Sequence, residues 1–316
     1  MAYLDRPAMS RLREQIADYL RLRRSLGYKL VEHERFLKQF LDYLEKQEAT
    51  TITAENAVAW AKLPAGTNPR WHGARLSAVR GFAAWAHAFD PDIQVPPTGL
   101  LPMGSTRATP YLYSADQIWA LMNAAADLVP SVRAATFQTL IGLLAVTGMR
   151  AGEAIRVDLT DLDFDAGTLT VRNTKFGKTR LLPLHPSTVD ELRTYLTLRS
   201  TTALPGTTAL LISVAGTGLT YDNAYKVFKK LTAQAGIVPR STACRPRMHD
   251  MRHSFAVNTL LDAYRSGGDV GAWLPVLSTY LGHTEPANTY WYLQAAPELL
   301  ALAADRLNTH DAEGRR

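Results

Sequence analysis

Cysteine is almost absent from this 316-residue chain, whose single cysteine is Cys244. One thiol excludes an intrachain disulfide and also excludes a zinc site assembled from cysteines. Cys244 lies close to Arg245 and Arg247, and we interpret it as an incidental thiol in a basic loop.

Long apolar runs and low-complexity blocks are also lacking. No stretch is apolar enough to span a bilayer, and Met1–Ser10 has no apolar core of signal-peptide length. We therefore expect no membrane partner and a location in the reducing cytoplasm. With 47% hydrophobic and 20% charged residues, the composition is globular, and the length is sufficient for two domains.

The charge balance is basic: 35 Lys and Arg residues against 29 Asp and Glu residues give a formal net charge of +6. Such an excess is compatible with a polyanionic partner but does not establish one. The sequence contains no obvious cluster of carboxylates that could hold a catalytic metal.

The first hundred residues have the apolar spacing of short helices. Thr53 is a suitable N-cap for a helix over Ala54–Ala61. A later helix, at about Arg70–Phe89, carries Arg75 and Arg80 away from its apolar stripe. This pattern predicts a helical module with a basic outer surface, although an ordinary solvated helix face has the same pattern.

Prolines and glycines dominate the segment from Asp90 to Pro110. Proline fixes φ and restricts the residue before it, so we expect an extended, unpaired linker here. We place the helical N-terminal domain at 1–103, the linker at 104–112 and the second domain at 113–316.

Helical patterns continue in the second domain and are interrupted by a short region of strand character. Ser114 and Gln117 form a predicted capping box at a helix start. The runs Leu159–Arg172 and Arg180–Leu184 flank turn residues and predict a hairpin. We expect a mainly α fold with a small antiparallel β-sheet.

Four clusters contain residue types suited to phosphodiester chemistry. An arginine in a turn can bind a phosphate bidentately, and a lysine in a hairpin can donate a proton to a leaving oxygen. A histidine and an arginine three residues apart share one face of a helix. A tyrosine can act as a covalent nucleophile. Taken singly, each cluster also fits a surface arginine, a solvated turn, a capping histidine or aromatic packing. In chain order they are Thr147–Glu153, Asn173–Arg180, His249–His253, and Leu281–His283 followed by Tyr290–Leu293.

Together and in this order, the clusters resemble the tyrosine site-specific recombinase (phage integrase) family over about Ser114–Pro297. That family has a T-G-x-R turn, a hairpin lysine, an H-x-x-R pair, an L-G-H and then a tyrosine. The resemblance implies a SAM-like core-binding domain before a catalytic domain, and the T-Y-W-Y-L segment is similar to integrases of transposons and other mobile elements. The implied catalytic residues are Arg150, Lys175, His249, Arg252, His283 and Tyr292.

Two assignments required a choice. The segment Arg180–Leu184 aligns with the family's strand after the hairpin, which favours Lys175 over Lys178 as the family lysine. The family spacing after L-G-H selects Tyr292 over Tyr290, and residues two apart on a helix point to nearly opposite faces.

The resemblance implies that Tyr292 attacks a DNA phosphate, forms a 3′-phosphotyrosyl bond and releases a 5′-hydroxyl, without ATP or metal. Glu153 follows Arg150 by three residues and is expected to support the site by orienting a basic partner. Further DNA contacts are predicted for basic residues in the helical module, the hairpin and the loop before H-x-x-R, namely Arg75, Arg80, Lys178, Arg180 and Arg247.

Family members act on double-stranded DNA as four protomers on two sites, which implies a homotetramer. The apolar face of Pro297–Leu307 fits docking on a neighbouring protomer or capping of its own domain. Two other functions remain open at this point. One is a type IB topoisomerase-like enzyme that only relaxes DNA, and the other is a DNA-binding accessory protein without activity.

Overall fold

The computed structural model describes residues 6–63, 66, 69–102, 109–172 and 179–282. The chain divides into two compact units, Met1–Arg107 and Ala108–Arg316. Within the described residues, no helix is both long enough and apolar enough to cross a membrane.

The N-terminal unit is a helical bundle around its own apolar core. The Thr53 side chain caps the third helix, as predicted, by accepting a hydrogen bond of 3.0 Å from the Asn56 N–H. Phe40 and Trp60 pack in this core with ring centroids 5.1 Å apart. The helices are α1 (Arg6–Ser25), α2 (Val31–Lys46), α3 (Ala54–Lys62) and α4 (Pro69–Ala86).

The first part of the proline-rich segment is not the unpaired linker that its composition predicts. Ile93 and Leu101 are buried in the N-terminal core. The Gln94 N–H donates a 2.8 Å hydrogen bond to the Ile52 carbonyl. Burial of these apolar side chains between the prolines fixes the segment against the bundle, so the linker interpretation is wrong for 90–101.

Arg75 does not lie on the outer surface of the module, so that prediction is wrong. Its side chain is 6% exposed, its guanidinium lies 3.7 Å above the Trp60 ring centroid, and it donates a 3.1 Å hydrogen bond to the Trp60 carbonyl. Stacking on an aromatic ring gives a buried arginine a favourable environment. Arg80 is half-buried and donates to the carbonyls of Pro96 and Pro97 at 2.8 and 2.9 Å.

The C-terminal unit is mainly helical with a small antiparallel sheet in the order β1-β2-β3, which confirms the predicted fold class. The predicted capping box of Ser114 and Gln117 is present. The strands are β1 (Leu162–Asp163), β2 (Thr168–Val171) and β3 (Arg180–Pro183). The helices are α5 (Ala115–Ala126), α6 (Ser131–Thr147), α7 (Ala151–Ile155), α8 (Pro186–Ser200), α9 (Tyr221–Gln234), α10 (Asp250–Arg265) and α11 (Val270–Leu281).

Gly148 ends the buried helix α6 and directs the chain into the turn that carries Arg150. Its φ of +58° lies in the left-handed region, which favours glycine. A Cβ at this position would lie 2.3 Å from Cδ1 of Phe255 on α10. The turn therefore requires glycine both for its backbone conformation and for its close approach to α10.

We predict that Gly148→Ala lowers the free energy of unfolding by about 2–5 kcal/mol, the sum of left-handed strain and overpacking. Gly236→Ala is a matched control, because Gly236 has a φ of +66° but no described atom lies within 4 Å of its Cβ position. It should cost only about 1–2 kcal/mol. Denaturant unfolding compares the two variants, and equal losses would contradict the close contact with Phe255.

Candidate active site

The cluster Thr147–Glu153 forms a turn that holds Arg150 in place without burying its side chain. Arg150 is the N-cap of the short helix α7, and its backbone N–H donates a 2.9 Å hydrogen bond to Oε2 of Glu153. Its guanidinium nitrogen NH1 lies 2.7 Å from Oε1 of the same residue. The side chain remains 33% exposed, so a ligand can reach the other guanidinium nitrogens.

Glu153 is the carboxylate that organises this turn. Its side chain is 3% exposed and has a second basic partner, Arg180, whose NH2 lies 2.7 Å from Oε2. Burial alone raises the pKa of Glu153, but hydrogen bonds from Arg180 and Arg150 outweigh it and lower the pKa to about 2. The carboxylate is therefore ionised, and the two arginines leave this trio with one net positive charge.

Arg252 connects the turn after α6 with the turn after α11. It projects from α10, is 2% exposed, and donates hydrogen bonds to the carbonyls of Gly148 at 3.0 Å and Leu281 at 2.6 Å. These carbonyls lie at the C-terminal ends of α6 and α11, where helices leave carbonyls without intrahelical partners. One buried guanidinium thus fixes the turn before Arg150 and the turn before His283.

His249 lies at the surface at the start of α10, beside these arginines. Partial desolvation and then the positive charges of Arg252, Arg150 and Arg247 lower its pKa to about 4. Its ring packs edge-on to that of His253, with centroids 5.0 Å apart. At neutral pH His249 is therefore uncharged and able to accept a proton.

We predict that His249 titrates near pH 4 in the DNA-free protein, well below the usual 6.5 for histidine. The neutral form then predominates above pH 4, and acid converts it to imidazolium only as the pH falls through that value. An NMR titration of the ring C–H resonances, assigned by their loss in His249→Gln, measures this pKa. A midpoint near 6.5 would contradict both the partial desolvation of the ring and the proximity of the arginine charges.

The sequence did not identify Asp250 as a site residue, although it follows His249 directly. This fully buried carboxylate accepts hydrogen bonds of 2.9 and 2.7 Å from Nε and NH2 of Arg247. Burial raises the pKa of Asp250, while the bonds from Arg247 oppose the increase. The three-residue Arg–Asp spacing at a helix start was the available signal. The guanidinium of Arg247 anchors the loop before His249 through these bonds, and its DNA contact stays a prediction.

The structure brings together part of the predicted site. Arg150 and Arg252 contact the same turn, their charges act on His249, and Glu153 and Arg180 adjoin Arg150. Two guanidinium groups beside a neutral imidazole form an arrangement suited to a phosphodiester and to proton transfer. Four predicted residues lie outside the described residues, namely Lys175, Lys178, His283 and Tyr292.

Solved structures of DNA recombinases have the same fold. XerH bound to palindromic difH substrate, in a post-cleavage complex, aligns with a TM-score of 0.63 at 18% identity over 86% of this chain and 78% of that one. The Tn1549 transposon integrase in complex with transposon right end DNA aligns at 0.62 and 17% identity over 94% and 99%. At 17–18% identity, these likenesses show that the chain shares the fold of this class of DNA recombinases.

Sequence relatives agree with this class. The family model described as the phage integrase family matches residues 112–298. The chain is 44% identical over 306 residues to y4rB of Sinorhizobium fredii, named as an integrase/recombinase, covering 95% of this chain and 98% of y4rB. It is 26% identical over 310 residues to the tyrosine recombinase XerD of Bifidobacterium longum, covering 92% and 94%. The chain belongs to the phage integrase family and is a tyrosine site-specific recombinase, which confirms the resemblance.

Proposed function

We propose that this recombinase breaks and rejoins DNA through a 3′-phosphotyrosyl bond to Tyr292. The observation that carries the proposal is geometric: Arg150 and Arg252 contact the same turn, Arg150 is partly exposed, and His249 begins α10 three residues before Arg252. Such a site binds an anionic phosphodiester and still holds a group that accepts a proton. Membership of the tyrosine recombinase family supports the choice of a tyrosine nucleophile.

The proposed step exchanges one phosphoester bond for another. The Tyr292 oxygen bonds to the scissile phosphorus, and the bond from phosphorus to the 5′-oxygen breaks. His249 accepts the phenolic proton, because an unperturbed tyrosine has a pKa near 10 and is protonated at neutral pH. Lys175 donates a proton to the departing 5′-oxygen, which leaves as a hydroxyl.

The phosphorane-like transition state carries additional negative charge on its oxygens. Arg150, Arg252 and His283 are proposed to stabilise that charge, each contributing about 2.7–4 kcal/mol by analogy with oxyanion-hole donors. Rejoining reverses the step, because a 5′-hydroxyl attacks the phosphotyrosine and releases Tyr292. The bond energy is retained in the phosphotyrosine, so the proposed cycle uses neither ATP nor a metal ion.

The proposed substrate is double-stranded DNA, cut and rejoined by four protomers on two sites. The solved complexes of XerH with difH and of the Tn1549 integrase with transposon end DNA support DNA as the substrate. The proposed outcome is integration, excision or resolution of a DNA element. We assign DNA contacts to the helical domain at 1–103 and the chemistry to 113–316, with 104–112 as the linker.

The proposal is tested with nicked DNA duplexes taken from the sequence that flanks the gene. Incubation with the wild-type protein should give SDS-resistant protein–DNA adducts, and an excess of EDTA should leave their yield unchanged. Loss of the adduct in EDTA contradicts the metal-independent mechanism. Absence of adducts even with a broad DNA library indicates a DNA-binding protein without activity.

A further inference from the structure

Arg180 is a largely buried arginine that contacts two of the site clusters. It begins β3, five residues after Lys175 in the sequence, and its side chain is 12% exposed. One side of the guanidinium faces Glu153, with NH2 2.7 Å from Oε2 and NH1 3.4 Å from Oε1. The guanidinium of Arg180 is thus engaged with Glu153, and its DNA contact stays a prediction.

The other contact of Arg180 is the turn at Gly282. A Cβ on Gly282 would lie 3.1 Å from NH1 and 3.5 Å from Cζ of Arg180, so the guanidinium packs directly against this glycine. Gly282 has a φ of +70° and ends α11 just before His283. Arg252 donates to the preceding Leu281 carbonyl, so two arginines contact this turn.

Arg180 affects the electrostatics of the site through Glu153, because the carboxylate of Glu153 contacts two guanidinium groups. The Arg150 guanidinium donates to Oε1 and the Arg180 guanidinium to Oε2, each at 2.7 Å, and the Arg150 backbone N–H also donates to Oε2 at 2.9 Å. Without Arg180, both carboxylate oxygens become available to Arg150, and a bidentate arginine–carboxylate pair is the strongest form of this interaction. The net charge of the trio would then fall from one positive charge to zero.

We propose that Arg180 is a positioning residue that acts through Glu153. By neutralising this buried carboxylate it keeps the guanidinium of Arg150 available to a phosphate, and by packing on Gly282 it sets the turn before His283. The cleavage test of this proposal rests on the proposed function. A second test measures phosphate binding and does not depend on cleavage.

The cleavage test compares Arg180→Met, Glu153→Gln and the double variant in single-turnover adduct formation on the nicked flanking duplexes at saturating DNA. Arg180→Met should slow adduct formation by about 100-fold, as expected for a misplaced catalytic group. The double variant should recover to within about threefold of Glu153→Gln, because glutamine retains the acceptor for the Arg150 N–H but has no charge to sequester its guanidinium.

Arg199→Met is the matched control for loss of a buried arginine. Arg199 is buried on α8 and donates hydrogen bonds to the carbonyls of Thr207, Ala209 and Leu210, and it contacts none of the site residues named above. The folded fraction of the Arg199→Met variant should cleave DNA at the wild-type rate. A purely structural role for Arg180 predicts equal behaviour of Arg180→Met and Arg199→Met, and no recovery in the double variant.

The independent readout uses inorganic phosphate as the probe and the Nε–H NMR resonance of Arg150, assigned by its loss in Arg150→Lys. Arg180→Met should weaken phosphate binding about tenfold, and Glu153→Gln in the same chain should restore it. Phosphate affinity unchanged in Arg180→Met, or additive losses in the double variant, overturn the proposal. If the phosphate result holds and the wild type forms no adduct, the proposed function fails while the role of Arg180 stands.

Discussion

Replacing Tyr292 by phenylalanine should abolish the covalent protein–DNA adduct while leaving DNA binding intact. The change removes only the hydroxyl oxygen that forms the bond to phosphorus, so no alternative route to the phosphotyrosine remains. We expect the adduct yield to fall by at least about 10⁴-fold, the scale seen when a nucleophile is deleted. SDS gels measure the adduct on nicked flanking duplexes, and a mobility-shift titration measures binding.

Tyr290→Phe is the matched control, because Tyr290 lies two residues away and would point to nearly the opposite face of a helix. It should form adducts within about threefold of the wild type, an effect below 1 kcal/mol. An adduct at wild-type level in Tyr292→Phe, together with its loss in Tyr290→Phe, would transfer the nucleophile assignment to Tyr290.

Arg150→Ala should reduce the rate of adduct formation by about 10²–10³-fold, equivalent to about 2.7–4 kcal/mol of transition-state stabilisation. The side chain is partly exposed, and Glu153 retains Arg180 as a partner, so the free energy of unfolding should change little. Single-turnover cleavage at saturating DNA measures the rate, and thermal unfolding monitors the fold.

Arg265→Ala offers a control with the same local pairing. Arg265 lies three residues after Asp262 in α10, as Glu153 lies three residues after Arg150, but its ion pair is highly exposed. Exposed pairs contribute little to stability, so Arg265→Ala should cleave at nearly the wild-type rate. A loss of less than tenfold in Arg150→Ala, or an equal loss in both variants, contradicts direct contact of Arg150 with the phosphate.

Local sequence signals predicted the parts of the fold that depend on neighbouring residues. The caps at Thr53 and Ser114 and the strands around the hairpin follow from residues within a few positions of one another. The burial of Ile93 and Leu101 was not predicted, because it depends on contacts with helices far away in the sequence. Prolines indicate an extended chain but carry no information on what that chain packs against.

The difference between local and distant contacts also explains which parts of the site could be predicted from the sequence. The residues that lie together at Arg150, His249 and Arg252 were predicted only through the order of their motifs, since each motif alone fits ordinary structure. Arg75 was wrongly predicted to be exposed, because helical spacing identifies the face of a residue but not the Trp60 ring that packs against its side chain. The Arg180–Glu153 pair spans 27 residues of sequence, and no periodicity connects its two partners.

The most direct test of the central claim is to identify the residue that carries the DNA. Adducts formed on a nicked duplex are digested with trypsin and nuclease, and the nucleotidyl-peptide is sequenced by mass spectrometry. We predict a 3′-linked nucleotide on Tyr292 in the wild-type protein. A nucleotide on Tyr290 or on a serine, or a linkage to a 5′-phosphate, would contradict the proposed mechanism.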